Sequence, residues 1–125
     1  MSVPTEAVLD QMADAVIYAD RGGKIQLWNC AAAALFGYEA AEALGSSIDI
    51  IVPERLREPH WRGFEMASGT LKLSGRPTLT RTLHKDGSRL YIEMSFALVK
   101  NADGSPLGSV AVARVAAPPR AAERQ

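Results

Sequence analysis

Residues 84–104, HKDGSRLYIEMSFALVKNADG, decide the fold. Leu90, Ile92, Met94, Phe96 and Leu98 fall on one face of an extended strand, and Tyr91, Glu93 and Ser95 on the other. This is period two, the mark of a strand with one buried side. Lys85-Asp86-Gly87 before it and Asp103-Gly104 after it contain Asp-Gly dipeptides, which make tight turns between antiparallel strands. The central strand therefore has a partner on each side. One is expected over about 70–83, interrupted by Gly75 and Pro77, and the other is the run LGSVAVARV, residues 107–115.

Working outward, residues 15–20 (AVIYAD) and 24–28 (KIQLW) are strand-like, with Asp20-Arg21-Gly22-Gly23 as the turn between them. Asn29 is placed to cap a helix over the run CAAAALF, which Gly37 ends. A second short helix, EAAEA, ends at Gly45, and SSIDIIVPE reads as a connector. Pro53 starts a helix that Gly69 ends, with a break near Pro59, because proline removes an N–H and disfavours helix in the residue before it. At the N-terminus, residues 4–13 form an amphipathic helix with Thr5 as its cap and Val8, Leu9 and Met12 as its apolar stripe. Trp28 is expected to pack on this helix or on a partner.

The expectation is an α+β fold: a five-stranded antiparallel sheet, short helices on one face, and a pocket between the two layers. Its parts are an N-terminal cap helix over 1–13, a domain over 14–116 and a flexible Pro- and Ala-rich tail over 117–125.

Composition removes several function classes. With 125 residues the chain is long enough for one core and too short for two. Fourteen Lys and Arg balance fourteen Asp and Glu, so the basic surface that nucleic-acid binders use is missing. Cys30 is the single cysteine, which excludes an internal disulfide framework or a multi-cysteine zinc site. The start, MSVPTEAVLD, lacks the basic and apolar regions of a signal peptide, and the apolar runs are too short to cross a membrane. A cytoplasmic protein without nucleic-acid or membrane partners is expected. No Ser-His-Asp order, phosphate-cradling Gly-rich loop or paired-carboxylate motif occurs, so an enzyme is not expected.

Three segments, ADAVIYADRGGKIQLWN, NCAAAALFGYEAAEALG and HKDGSRLYIEMSFALVKNADG, occur in the order and at the spacing of the PAS domain family. The chain resembles that family over about residues 5–116. The resemblance implies the PAS fold and a role in sensing or signalling. It implies that Asn29 caps the helix crossing the sheet, and that Leu35 and Phe36 anchor it. It also implies that Glu42 pairs with Lys85 and ties the helical segment to the sheet. Two solvated charges are the competing reading of that pair.

PAS domains differ in what fills the pocket. The flavin-binding light sensors carry their reactive cysteine on a later helix than Cys30. Cys30 is instead read as a small, buried or half-buried residue at a helix start. Haem is the more specific candidate. PERLREPHWRGF, residues 53–64, resembles the helix that carries the axial histidine in rhizobial oxygen-sensing kinases, with the histidine seven positions after the proline, here Pro53 and His60. Imidazole is the usual axial ligand for haem iron in sensors. The distal arginine position of those sensors falls on Thr78, with Arg76 two residues earlier on the same strand face. Leu90, Ile92, Met94, Val110 and Val112 are the expected dry walls, with Trp61 beside His60 as a further one. The competing reading makes His60 a helix-packing or surface histidine and Trp61 a cover for the sheet edge. His84 is read as solvated.

Two functions follow. The first is a stand-alone sensory domain with a small ligand, haem through His60 for gas or redox sensing. The second is a cofactor-free interaction module that forms a homodimer, through the N-terminal helix and the sheet face, or docks on a signalling partner. In full-length sensors of this family the last strand runs through an aspartate into an output helix. Here that position is Val115, and Pro118-Pro119 blocks a continuous helix. With no output segment in the chain, signalling through non-covalent contact is expected.

Overall fold

The structure is a computed structural model and describes residues 3–52 and 78–116. The elements run α1 (Thr5–Gln11), β1 (Ala15–Asp20), β2 (Ile25–Trp28), α2 (Cys30–Phe36), α3 (Ala40–Ala43), a 3₁₀ turn (Ile48–Ile51), β3 (Thr78–Leu83), β4 (Arg89–Lys100) and β5 (Pro106–Val115). All five strands belong to one antiparallel sheet in the order β2-β1-β5-β4-β3. The strands at the two ends of the chain therefore meet at the centre, where β1 pairs with β5. The expected α+β architecture is present. The expected helix over 53–69, the strand residues 70–77 and the tail lie outside the described residues.

Register assigns the faces. Met94 lies opposite Ala113, which lies opposite Ala15; Phe96 lies opposite Ala111, which lies opposite Ile17. These residues line the inner face, where α2, α3 and the 3₁₀ turn add Ala32, Phe36, Ala43, Ile48 and Ile51 to the core. Phe36, Ile17, Ile25 and Ile92 are its largest fully buried side chains. Removing each from water contributes about 1.5–3 kcal/mol.

Asn29 shows why α2 starts where it does. Its Oδ1 accepts from the N–H of Ala32 at 3.1 Å, capping the helix, and from the N–H of Val16 at 2.9 Å on β1. Its Nδ2 donates to the carbonyls of Leu9 at 2.7 Å and Asp14 at 3.1 Å. One buried amide thus joins α1, β1 and α2. The helix ends at Gly37, whose φ of 84° suits a residue without Cβ and whose N–H donates to Ala33 O at 2.9 Å.

Several local expectations change. Pro4, not Thr5, holds the cap position of α1, with no side-chain capping bond; the Thr5 hydroxyl donates to Val3 O instead. The connector after Gly45 holds a 3₁₀ turn, started by the Ser47 hydroxyl accepting from Asp49 N at 3.1 Å. Trp28 packs inward rather than on α1. Its ring centroid lies 5.6 Å from Phe36 and 6.4 Å from Tyr38, and its indole N–H donates to Tyr38 O at 2.9 Å. A buried indole needs such an acceptor. No helix among the described residues is long and apolar enough to cross a membrane.

Candidate functional site

The inner face of the β3–β4 edge is the described part of the expected pocket wall. Ile92 and Met94 are buried there and Leu90 is half-buried against the core. Opposite them on β3 stand Thr82, paired with Leu90, and Thr80, paired with Ile92, and the backbone of Thr78 pairs with Met94. An aliphatic row thus runs beside a row of threonines. Along the central strand β5 the buried inner positions hold Ala111 and Ala113, beside Phe96 and Met94.

Val110 and Val112 do not belong to this wall, contrary to expectation. Val112 pairs with Val16 and Ser95, and Val110 with Tyr18 and Ala97, which puts both valines on the outer face. Both faces of VAVA are apolar, so composition favours the larger residue inside. The partner strand decides otherwise, because Met94 and Phe96 need small neighbours. His60, Trp61 and Arg76 lie outside the described residues, and Thr78 is placed by its backbone pairing alone.

The pair inferred between Glu42 and Lys85 is present, the ammonium donating to Glu42 Oε2. Glu42 Oε1 accepts from the N–H of Glu39 at 3.0 Å at the start of α3. Both groups are solvent-accessible. The Lys85 hydrogen bond, followed by the Glu39 N–H, holds the Glu42 carboxyl below its ordinary range. The same carboxylate holds Lys85 above its own. The Lys85 backbone N–H also donates to Phe36 O at 2.8 Å, so the β3–β4 hairpin is tied to the end of α2 as well as to α3.

His84 is half-buried rather than fully solvated. Its Nδ1 accepts from the N–H of Asp86 at 3.1 Å, and its ring lies where a Cβ on Gly37 would sit. That contact commits His84 to its own turn. Cys30 is exposed, not buried. It begins α2 beside Asp10, whose carboxylate accepts from the Cys30 N–H at 3.2 Å. Hydrogen bonding to the Asp10 carboxylate, together with its negative charge, holds the thiol above its ordinary value, the reverse of what a reactive thiolate needs. No group of three or more His, Cys, Asp or Glu that could hold a metal ion occurs among the described residues.

The family model described as "PAS fold" matches residues 5–116. The chain belongs to the PAS family. The PAS domain of a Colwellia psychrerythraea protein superposes with a TM-score of 0.79 at 22% identity, covering 90% of this chain and 93% of that one. Sensor protein FixL of Bradyrhizobium diazoefficiens is 41% identical over 54 residues, 43% of this chain and 11% of its own length. Oxygen sensor protein DosP of Escherichia coli is 28% identical over 94 residues, 74% of this chain and 12% of its own length. The chain thus matches about one PAS unit of much longer sensors.

On this edge of the sheet Leu90, Ile92 and Met94, with alanines beside them, form an apolar inner face. Sequence reasoning missed Ala111, Ala113 and Thr82. The two-residue spacing of Thr80 and Thr82 is the available sequence signal, and pairing with β4 shows which face they take.

Proposed function

We propose that this PAS domain is a sensory module that binds a small ligand on the inner side of its sheet, with haem, held through His60, as the most specific ligand. The observation that carries this reading is the aliphatic inner face of β4, Leu90, Ile92 and Met94, in a PAS fold similar to sensors of which one is named as an oxygen sensor. Haem iron would supply reversible binding of a diatomic gas. His60 would hold the iron through its imidazole. The sheet residues would exclude water from the iron and hold the macrocycle by apolar contact. Arg76 or Thr78 would supply a polar group to the site. Cys30, lone and without a disulfide partner, suits a reducing compartment such as the cytoplasm.

The test is a titration of the purified protein with hemin. A Soret band at one equivalent is expected, and it should vanish in His60→Ala while the far-ultraviolet circular dichroism stays unchanged. Absence of uptake by the folded wild-type protein refutes haem.

The alternative, an interaction module without cofactor, draws on α1. That helix has no buried residue, and Val8 on it and Met12 just after it are 49% and 38% exposed. A homodimer through α1 and the outer face of the sheet would cover them, and a signalling partner could bind the same surface. Light scattering at high concentration should then give twice the monomer mass, and a monomer there removes the homodimer. If ligand state controls docking, partner binding must differ with and without hemin, because a ligand shifts an equilibrium only by its differential affinity for two states.

A further inference from the structure

The row of threonines on β3 contains a buried hydroxyl that the chain does not use. Thr82 is 3% exposed, and its Oγ1 has no hydrogen-bond partner. It is the sole buried side-chain nitrogen or oxygen atom so left among the described residues. The rest of the described polar interior is satisfied, Asn29 by four bonds. A hydroxyl carries a donor and two acceptor sites, and burying it unpaired costs free energy that a valine of nearly the same shape would not. An unpaired buried donor is the rarer and less tolerated defect.

Thr82 faces inward, since it lies opposite half-buried Leu90 and two residues from Thr80, which is opposite Ile92. The neighbouring row on β4 is aliphatic. Strand β3 also packs against the 3₁₀ turn Ile48–Ile51, which brings the buried apolar side chains of Ile48 and Ile51 to this end of the sheet. A hydroxyl that ends an apolar surface is the arrangement by which pockets orient a ligand: broad apolar contact and one placed polar group.

We infer that the Thr82 hydroxyl is the polar anchor of the ligand site, donating a hydrogen bond to an acceptor (a carbonyl oxygen or a ring nitrogen) on a small aromatic or otherwise flat molecule whose apolar body lies against half-buried Leu90. The inference rests on the ligand-binding reading but not on haem. It names the ligand class: flat, mostly apolar, with one hydrogen-bond acceptor at its edge.

The probes are quinoline and naphthalene, which share a shape and differ by one ring nitrogen. Dissociation constants are read from amide shifts in two-dimensional NMR. Wild type should bind quinoline about three- to tenfold more tightly than naphthalene, the factor that one neutral hydrogen bond returns. Thr82→Ser should keep the preference and Thr82→Val should abolish it. Without ligand, Thr82→Val should melt at or above the wild-type temperature, since it removes an unpaired group. A fall of more than about 5 °C, roughly the effect of 1 kcal/mol in a domain of this size, shows the hydroxyl bonded within the chain and overturns the inference. Equal affinity for both probes in wild type overturns the anchor while leaving the pocket standing. Binding of neither probe overturns it as well, and hemin uptake in the same sample then tells whether the ligand-binding reading falls with it.

Discussion

Gly37→Ala tests how the helical layer is joined to the sheet. Two costs are separable at this position. Gly37 has φ +84°, where an L side chain costs about 1–2 kcal/mol. In addition, a Cβ would lie 2.4 Å from His84 Cε1 and 2.5 Å from Nε2, closer than atoms approach. The imidazole is the far end of a mobile side chain, so it swings away rather than forcing the backbone. Swinging breaks the 3.1 Å bond from the Asp86 N–H to Nδ1, which costs about 0.5–1.5 kcal/mol more. The total is about 1.5–3.5 kcal/mol. Gly45→Ala is the control, because Gly45 has φ +85° but open space around it, so only the backbone cost applies. Urea unfolding should rank Gly37→Ala as costlier than Gly45→Ala. In a His84→Ala background the Gly37→Ala cost should shrink to that of the control, a coupling that a double-mutant cycle measures. The reasoning fails if Gly37→Ala costs the same with and without His84, or no more than Gly45→Ala.

Asn29→Ala should lower stability by about 3 kcal/mol or more, because it removes four bonds and leaves the buried Val16 N–H unpaired; a loss under about 1 kcal/mol in urea would contradict its role as the joint of α1, β1 and α2. The Glu42–Lys85 pair should make the melting temperature depend on pH. Glu42 titrates below its ordinary range in the folded protein, so its contribution is present above the unfolded carboxylate value and lost as pH falls through the lower folded one. Lys85 titrates above its ordinary range, so its contribution is present below the unfolded lysine value and lost as pH rises through the higher folded one. Lys85→Met should flatten the acid limb, as should high salt, and an unchanged acid limb would sink the assignment. Ala113→Leu, on the inner face, should cost about 1–3 kcal/mol by overpacking, while Val112→Leu on the outer face should be nearly neutral; equal costs in thermal melts would refute the register.

Much of this fold was legible along the chain because its signals are local. Alternation over Leu90–Leu98 is set by the pleat of one strand, the Asp-Gly turns by backbone preference, and the start and stop of α2 by Asn29 and Gly37. The site was less legible. Val110 and Val112 read as pocket walls because an all-apolar strand has no polar side to betray its orientation, and pairing with β4 turned them outward. Cys30 read as a buried or half-buried residue, but the helix turn that follows Asn29 leaves it exposed. Trp28 read as packing on α1 or on a partner, but the turn after α2 brings Tyr38 O to its indole N–H.

By itself the sequence determined the kinds of element, their order and the PAS pattern, since each depends on residues a few positions apart. The tertiary structure alone decided which face each β5 side chain takes, that Asn29 binds three elements at once, and that Thr82 carries an unused buried hydroxyl. Those depend on register between strands distant in the chain, and a shift of one residue in that register exchanges the two faces of a sheet.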